Sequence, residues 1–168
     1  TRFRNVTGVQ TCALPIYLPR LNNIANQLKK QYKIKVEIIK ADLTKPLQLA
    51  KVEKRLAVKS KPIDVLINNA GFGIKDSFLD SNLEREQELL DVLVTAPMRL
   101  THVAIAAMVK RNNGVIVNVS SIASWIAGGT YSAAKSYLTV FSEYLNNELK
   151  GTNVKVSALC PGFTRTEI

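Results

Sequence analysis

Residues 114–162 read GVIVNVSSIASWIAGGTYSAAKSYLTVFSEYLNNELKGTNVKVSALCPG, and the hydrophobic periodicity changes twice within that span. Val115–Val119 is a short, continuously apolar run, which reads as a strand inside a sheet rather than at its edge. Ala134, Tyr137, Leu138, Phe141, Tyr144, Leu145 and Leu149 then recur at helical spacing and form one wide apolar stripe. Gly151 stops that helix, Val154–Leu159 supplies another strand, and Pro161 with Gly162 ends it. Strand, helix and strand in succession is the unit of a parallel sheet, because parallel neighbours need a crossover connection.

Working outward, the same alternation runs back to Tyr17. Leu18, Leu21, Ile24, Ala25 and Leu28 make one helical stripe, and Val36–Ile39 reads as a strand. Thr44, followed by Lys45 and Pro46, reads as an N-cap opening a helix that runs to about Val58. Ile63–Ile67 is the next strand. Leu83–Arg111 is a long, mostly apolar helical segment with Pro97 inside it, so a kink or an offset is expected there, and Asn113 and Gly114 end it. The fold class is α/β.

Composition narrows the function classes. A chain of 168 residues with 46% hydrophobic content has the apolar stock of one globular domain. The longest uninterrupted apolar stretch, Val103–Val109, falls well short of the roughly 20 residues that span a bilayer, so no membrane partner and a cytoplasmic location are expected. Cys12 and Cys160 form no CxxC pair and no cluster with histidine, so neither a disulfide framework nor a metal site is expected, and Cys160 reads as a small buried hydrophobe. The net charge of +10 raises the question of nucleic acid. The lysines between Lys29 and Lys61 alternate with apolar residues at helix and strand spacing, without interleaved aromatic platforms, and read as a solvated basic face. His102, the single histidine, has no acidic or serine partner at sensible spacing and reads as a packing residue.

The chemistry concentrates after the Val115–Val119 strand. Ser120 and Ser121 stand at its end, and Tyr131 and Lys135 open the following helix. Residues four apart share a helix face, so the Lys135 ammonium can sit beside the Tyr131 phenol. An ordinary phenol, with a pKa of about 10, exchanges protons poorly near neutrality, and a neighbouring cation stabilises its phenolate. Tyr131 is therefore a candidate general acid/base, with a serine hydroxyl from the adjoining strand end placed to hold a substrate oxygen.

NNAG at Asn68–Gly71, NVSS at Asn118–Ser121, YSAAK at Tyr131–Lys135 and PGFTRT at Pro161–Thr166, in this order, resemble the short-chain dehydrogenase/reductase family. The resemblance covers about Tyr17–Ile168. It implies a Rossmann-like doubly wound parallel sheet that is incomplete here, holding the third to sixth strands and lacking the first two and the last. It implies a nicotinamide cofactor, NAD or NADP with NADP favoured, a small carbonyl or alcohol substrate, and a homodimeric or homotetrameric parent. By analogy Tyr131 exchanges the proton, Lys135 tunes it and holds the nicotinamide ribose, and Ser121 orients the carbonyl. Asp42 matches the adenine contact, Asn69, Ala70 and Gly71 the turn along the adenosine, and Pro161, Gly162, Thr164 and Thr166 the loop beside the nicotinamide and phosphates. A non-catalytic nucleotide-binding or regulatory protein on the same fold is the alternative.

Three features depart from the family pattern. Leu93 stands where many members carry an asparagine that supports a water relay to the lysine, and leucine cannot hydrogen-bond. The interval from Ser121 to Tyr131 is a few residues short, which keeps Ser120 in view beside Ser121. The glycine-rich nucleotide loop is missing: Thr1–Ile16 has no sustained periodicity, its VTGVQTCALPI resembles a translated sequencing adapter, and it is set apart as extraneous, with 17–168 as the domain. Trp125 lines a substrate pocket or covers the core, and Asn68 and Asn118 are expected to satisfy backbone groups at strand ends. Because the missing strands would lie between the third and fourth, the chain as written is expected to be poorly stable and inactive. A thermal melt and an NADPH oxidation assay check this, and a cooperative transition with steady turnover would overturn it.

Overall fold

The computed structural model describes residues 17–163. Three parallel strands, β1 (Val65–Asn68), β2 (Gly114–Val119) and β3 (Val154–Leu159), lie in the order β1-β2-β3, so the strand read as internal is the central one. The register sets Leu66 beside Ile116 and Ile116 beside Val156, which puts all three side chains on one face. That face is covered by α2 (Pro46–Leu56), α4 (Ala96–Arg111) and α5 (Gly129–Glu148) through Leu49, Val52, Leu100, Met108 and Leu145, with Leu149 just past the end of α5. Val115, Lys155 and Ser157 face the other way and are exposed. The α/β, Rossmann-like parallel architecture is as expected.

One expected strand is absent. Val36–Ile39 follows α1 (Leu18–Tyr32) but joins no ladder, because extended backbone becomes a strand only where a neighbour offers its N–H and C=O groups, and none among the described residues does. Side chains hold this segment instead. Ala41 and Leu43 enter the core with Ile39 against them, and the Arg55 guanidinium donates to Glu37 at 2.8 Å. The Thr44 expectation also needs correcting, since Lys45 occupies the N-cap of α2 without a side-chain bond and Pro46 follows at the helix start. The Thr44 hydroxyl is already committed to Asp42 Oδ1 at 2.8 Å, and α2 ends at Leu56 rather than near Val58.

The long helix runs unbroken from Leu83 to Arg111, but a π turn, Asp91–Thr95, separates α3 (Leu83–Leu90) from α4. Pro97 explains it. Its ring would press on the carbonyl of Leu93, four residues earlier, and it has no N–H to give. Opening one turn to a five-residue step, seen in the Ala96 N–H donating to the Asp91 carbonyl, accommodates both constraints. By length and composition alone this helix could cross a membrane, yet Leu89, Leu93, Leu100, Ala104 and Met108 are buried within the fold. His102 is exposed on α4, not packed, because it falls on the face turned away from β2.

Gly114 opens β2 directly against Met108, where an added Cβ would stand 2.7 Å from the methionine Cβ. Gly114→Ala is expected to lower stability by about 1–3 kcal/mol through overpacking. Combined with Met108→Ala it should cost less than the sum of the two, which a double-mutant cycle by chemical denaturation checks.

Candidate active site

All three strands deliver their C-terminal ends to the same edge, where open parallel sheets present ligand sites. A buried polar chain organises that edge. Asn68 donates from Nδ2 to Asn118 Oδ1 at 2.8 Å and to Thr101 Oγ1 of α4 at 3.0 Å. Asn118 in turn donates to Ser142 Oγ of α5 at 2.9 Å. The asparagines thus bind side chains of the covering helices, not the backbone groups expected of them. Thr101 and Ser142 went unnoticed in the sequence, although small hydroxyl residues on otherwise apolar helix faces are the available signal.

The two adjacent serines have different environments. Ser120 is buried, and its hydroxyl meets the Lys135 carbonyl at 2.7 Å and the hydroxyls of Thr139 and Ser124 at 2.8 Å each. Ser121 is half-buried, and its Oγ accepts from the Ala123 N–H at 3.1 Å as the N-cap of a short 3-10 turn, Ile122–Trp125. Lys135 is buried, its ammonium donates to the Val119 carbonyl at 2.6 Å, and its Nζ stands 5.6 Å from the centre of the Tyr131 ring. The cation therefore lies over the ring, with Tyr131 half-buried one turn earlier on the same helix face.

The remaining sequence candidates among the described residues lie toward the same edge. A Cβ on Gly71 would lie 2.8 Å from Leu93 Cδ2 and 3.8 Å, an ordinary contact distance, from Lys135 Nζ, so the Asn69–Gly71 segment packs closely on Leu93 with the lysine beside it. Pro161 accepts at its carbonyl from the Ile122 N–H at 3.1 Å, which sets Pro161 and Gly162 beside Ser121. Asp42 lies further along, its Oδ1 held by Thr44, while the neighbouring Leu43 shares a small cavity with Asn69 and Ala70. Thr164 and Thr166 lie outside the described residues, as does the segment 1–16. Trp125 is 69% exposed, so it does not cover the core. Leu93 is fully buried with Leu89 and Ala134, and Tyr131 packs against that cluster. Cys160 is partly buried and free.

Burial, opposed more weakly by the charge of Cys160, brings Lys135 from its ordinary 10.5 down to about 8. Between those values the unfolded chain holds a proton that the folded chain lacks, so this group's contribution to stability rises with pH across the window. Below about pH 8 the buried charge costs stability. Relative to Lys135→Met, the wild type is expected to gain roughly 3 kcal/mol as pH rises from about 8 to about 10.5. Paired denaturation curves measure it, and a difference independent of pH would mean that the ammonium is not desolvated.

Comparison with known proteins fits this geometry. The short chain dehydrogenase family matches residues 7–168, a match that begins inside the segment set apart at the N-terminus. An NADP-dependent 3-hydroxy acid dehydrogenase of Schizosaccharomyces pombe is 30% identical over 88% of this chain and 58% of its own length. A short-chain dehydrogenase of Sphingobium yanoikuyae solved with NADPH superposes with a TM-score of 0.85 at 35% identity, over 89% of this chain and 59% of that one. The bulky-bulky ketone specific alcohol dehydrogenase of Comamonas testosteroni gives 0.85 at 34% identity, over 89% and 61%. The chain thus spans about three fifths of the length of these proteins. With the described parts of its motifs at one sheet edge and the family matched over nearly its whole length, the chain belongs to the short-chain dehydrogenase family.

Proposed function

We propose that residues 17–168 are part of an NAD(P)-dependent oxidoreductase that interconverts a carbonyl and an alcohol, with Tyr131 as general acid/base, Lys135 as its cationic partner and Ser121 as the group that orients the substrate oxygen. The observation that carries this reading is the buried Lys135 ammonium, anchored on the Val119 carbonyl and poised over the Tyr131 ring at the strand ends. An ammonium has three protons, and the Val119 carbonyl takes one, which leaves donors for a ribose diol. The ammonium's remaining donors, with Gly71 beside them, fit the nicotinamide-ribose side of a dinucleotide. Asn69, Ala70, Gly71 and Asp42 would hold its adenosine side, and Pro161, Gly162, Thr164 and Thr166 would border the nicotinamide. The names of the fission yeast relative and of the NADPH-bound structure favour NADP. Bound there, the cofactor supplies or accepts the hydride.

This chain's own groups handle the proton. Ser121 receives a backbone N–H at its oxygen and keeps its hydroxyl proton to donate to the substrate carbonyl. Tyr131 gives its phenolic proton as the alcohol forms, and the Lys135 charge stabilises the resulting phenolate. Leu93 offers no donor or acceptor in its apolar cluster, so Lys135 exchanges protons with solvent by a route that does not pass through residue 93. Exposed Trp125 and Ile126 beside this edge suit a small or medium apolar carbonyl compound. A parent protein that assembles as a homodimer or homotetramer is part of the same reading.

In the parent protein, Tyr131→Phe is expected to lower kcat by about 10²–10⁴ while NADPH binding persists. Ser121→Ala should reduce turnover with little change in the melting point, whereas Ser120→Ala should act on stability, since its buried hydroxyl is committed to three partners. Steady-state kinetics with a panel of ketones and thermal melts check these expectations. Undiminished turnover in Tyr131→Phe would favour the non-catalytic alternative.

A further inference from the structure

The first turn of α5 carries Tyr131 as its third residue, after Gly129 and Thr130. Its leading N–H groups have no intrahelical acceptors and present the positive end of the helix. The N-cap is Gly128, which has no side chain to cap them, and no acidic residue stands in that turn. Gly129 has φ +73, so the entry into the helix is also the part of this segment with the most backbone freedom.

Facing this turn from α3 is a carboxyl group with a complementary deficit. Glu86 is only 7% exposed, and its Oε2 is buried without a hydrogen-bond partner, alone in this respect among the side-chain atoms of the described residues. Leaving such an oxygen dry is costly, and native structures satisfy buried acceptors with protein groups or ordered water. Glu86 and Leu89 share a cavity of about 50 Å³ with Gly128, Gly129, Thr130 and Tyr131. One water needs about 10–15 Å³ of such space, so the cavity has room for water between an acceptor on α3 and donors on α5.

We propose that Glu86 is a positioning residue for Tyr131, holding the first turn of α5 through water trapped in this cavity; the proposal rests on the reading of Tyr131 as the proton donor. The water donates to Glu86 Oε2 and accepts from an N–H of the turn, so both unsatisfied ends are met at once. The aim of the phenol then depends on a residue that touches neither substrate nor cofactor.

The test uses the parent enzyme with Glu86→Leu and Glu86→Gln, the second keeping an acceptor oxygen at the same reach. Glu86→Leu is expected to lower kcat by about tenfold or more with KM within about twofold, and to speed amide exchange at Gly129–Tyr131. Glu86→Gln should restore most of both. A crystal structure of the unmodified enzyme should show water within hydrogen-bond distance of Oε2 and of a first-turn N–H, which decides the matter even if Glu86→Leu fails to fold. A dry cavity, unchanged exchange in Glu86→Leu, or a raised KM with unchanged kcat would each overturn the proposal, the last by making Glu86 a substrate contact. Turnover that survives Tyr131→Phe would instead overturn the catalytic reading, leaving the water and the exchange data to judge the role of Glu86 in the turn.

Discussion

Two asparagine side chains, Asn68 and Asn118, lie opposite each other near the ends of neighbouring parallel strands, each buried and each bonded to the other and to a helix. An amide in such a place is destabilising by about 1–3 kcal/mol for each group left without a partner, so its surroundings are tightly specified. Thr101 must come from α4 and Ser142 from α5, and a shift of either helix by one turn would leave an amide group unbonded. The sheet edge and the two helices that carry or support the site are therefore fixed together. Ser120 repeats the device one step further along with Thr139 and the Lys135 carbonyl.

From that frame the placement of Lys135 follows. Its stem runs inside the fold, its ammonium reaches the carbonyl of Val119 just before the serines, and its charge is tolerated because that carbonyl and the Tyr131 ring receive it. Leu93 closes the same space from the π turn, and the turn exists because Pro97 prevents an ordinary helical step at Leu93. Pro97 thus sets which side chain packs against Gly71 beside the lysine.

The sequence on its own made most of the framework legible. The three strands, the proline offset, the apolar stripe of α5 and the Tyr131–Lys135 spacing all arise from local periodicity and sterics, which depend on neighbours a few residues away. The four motifs gave the family for the same reason, since each is a short string at a strand or helix end.

What lay beyond the sequence were the relations across long separations. Whether Val36–Ile39 forms a strand depends on a partner strand beside it, and its own side chains carry no information about that. That His102 faces outward, that Ser120 rather than Ser121 is committed to buried partners, and that Glu86 keeps a buried oxygen without a protein partner near Tyr131 were likewise decided by packing. Sequence fixes which groups a residue can offer and which face of its own element it occupies. Only the tertiary structure settles which of those groups are left with water, with a partner, or with neither, because burial is a property of the surfaces that meet.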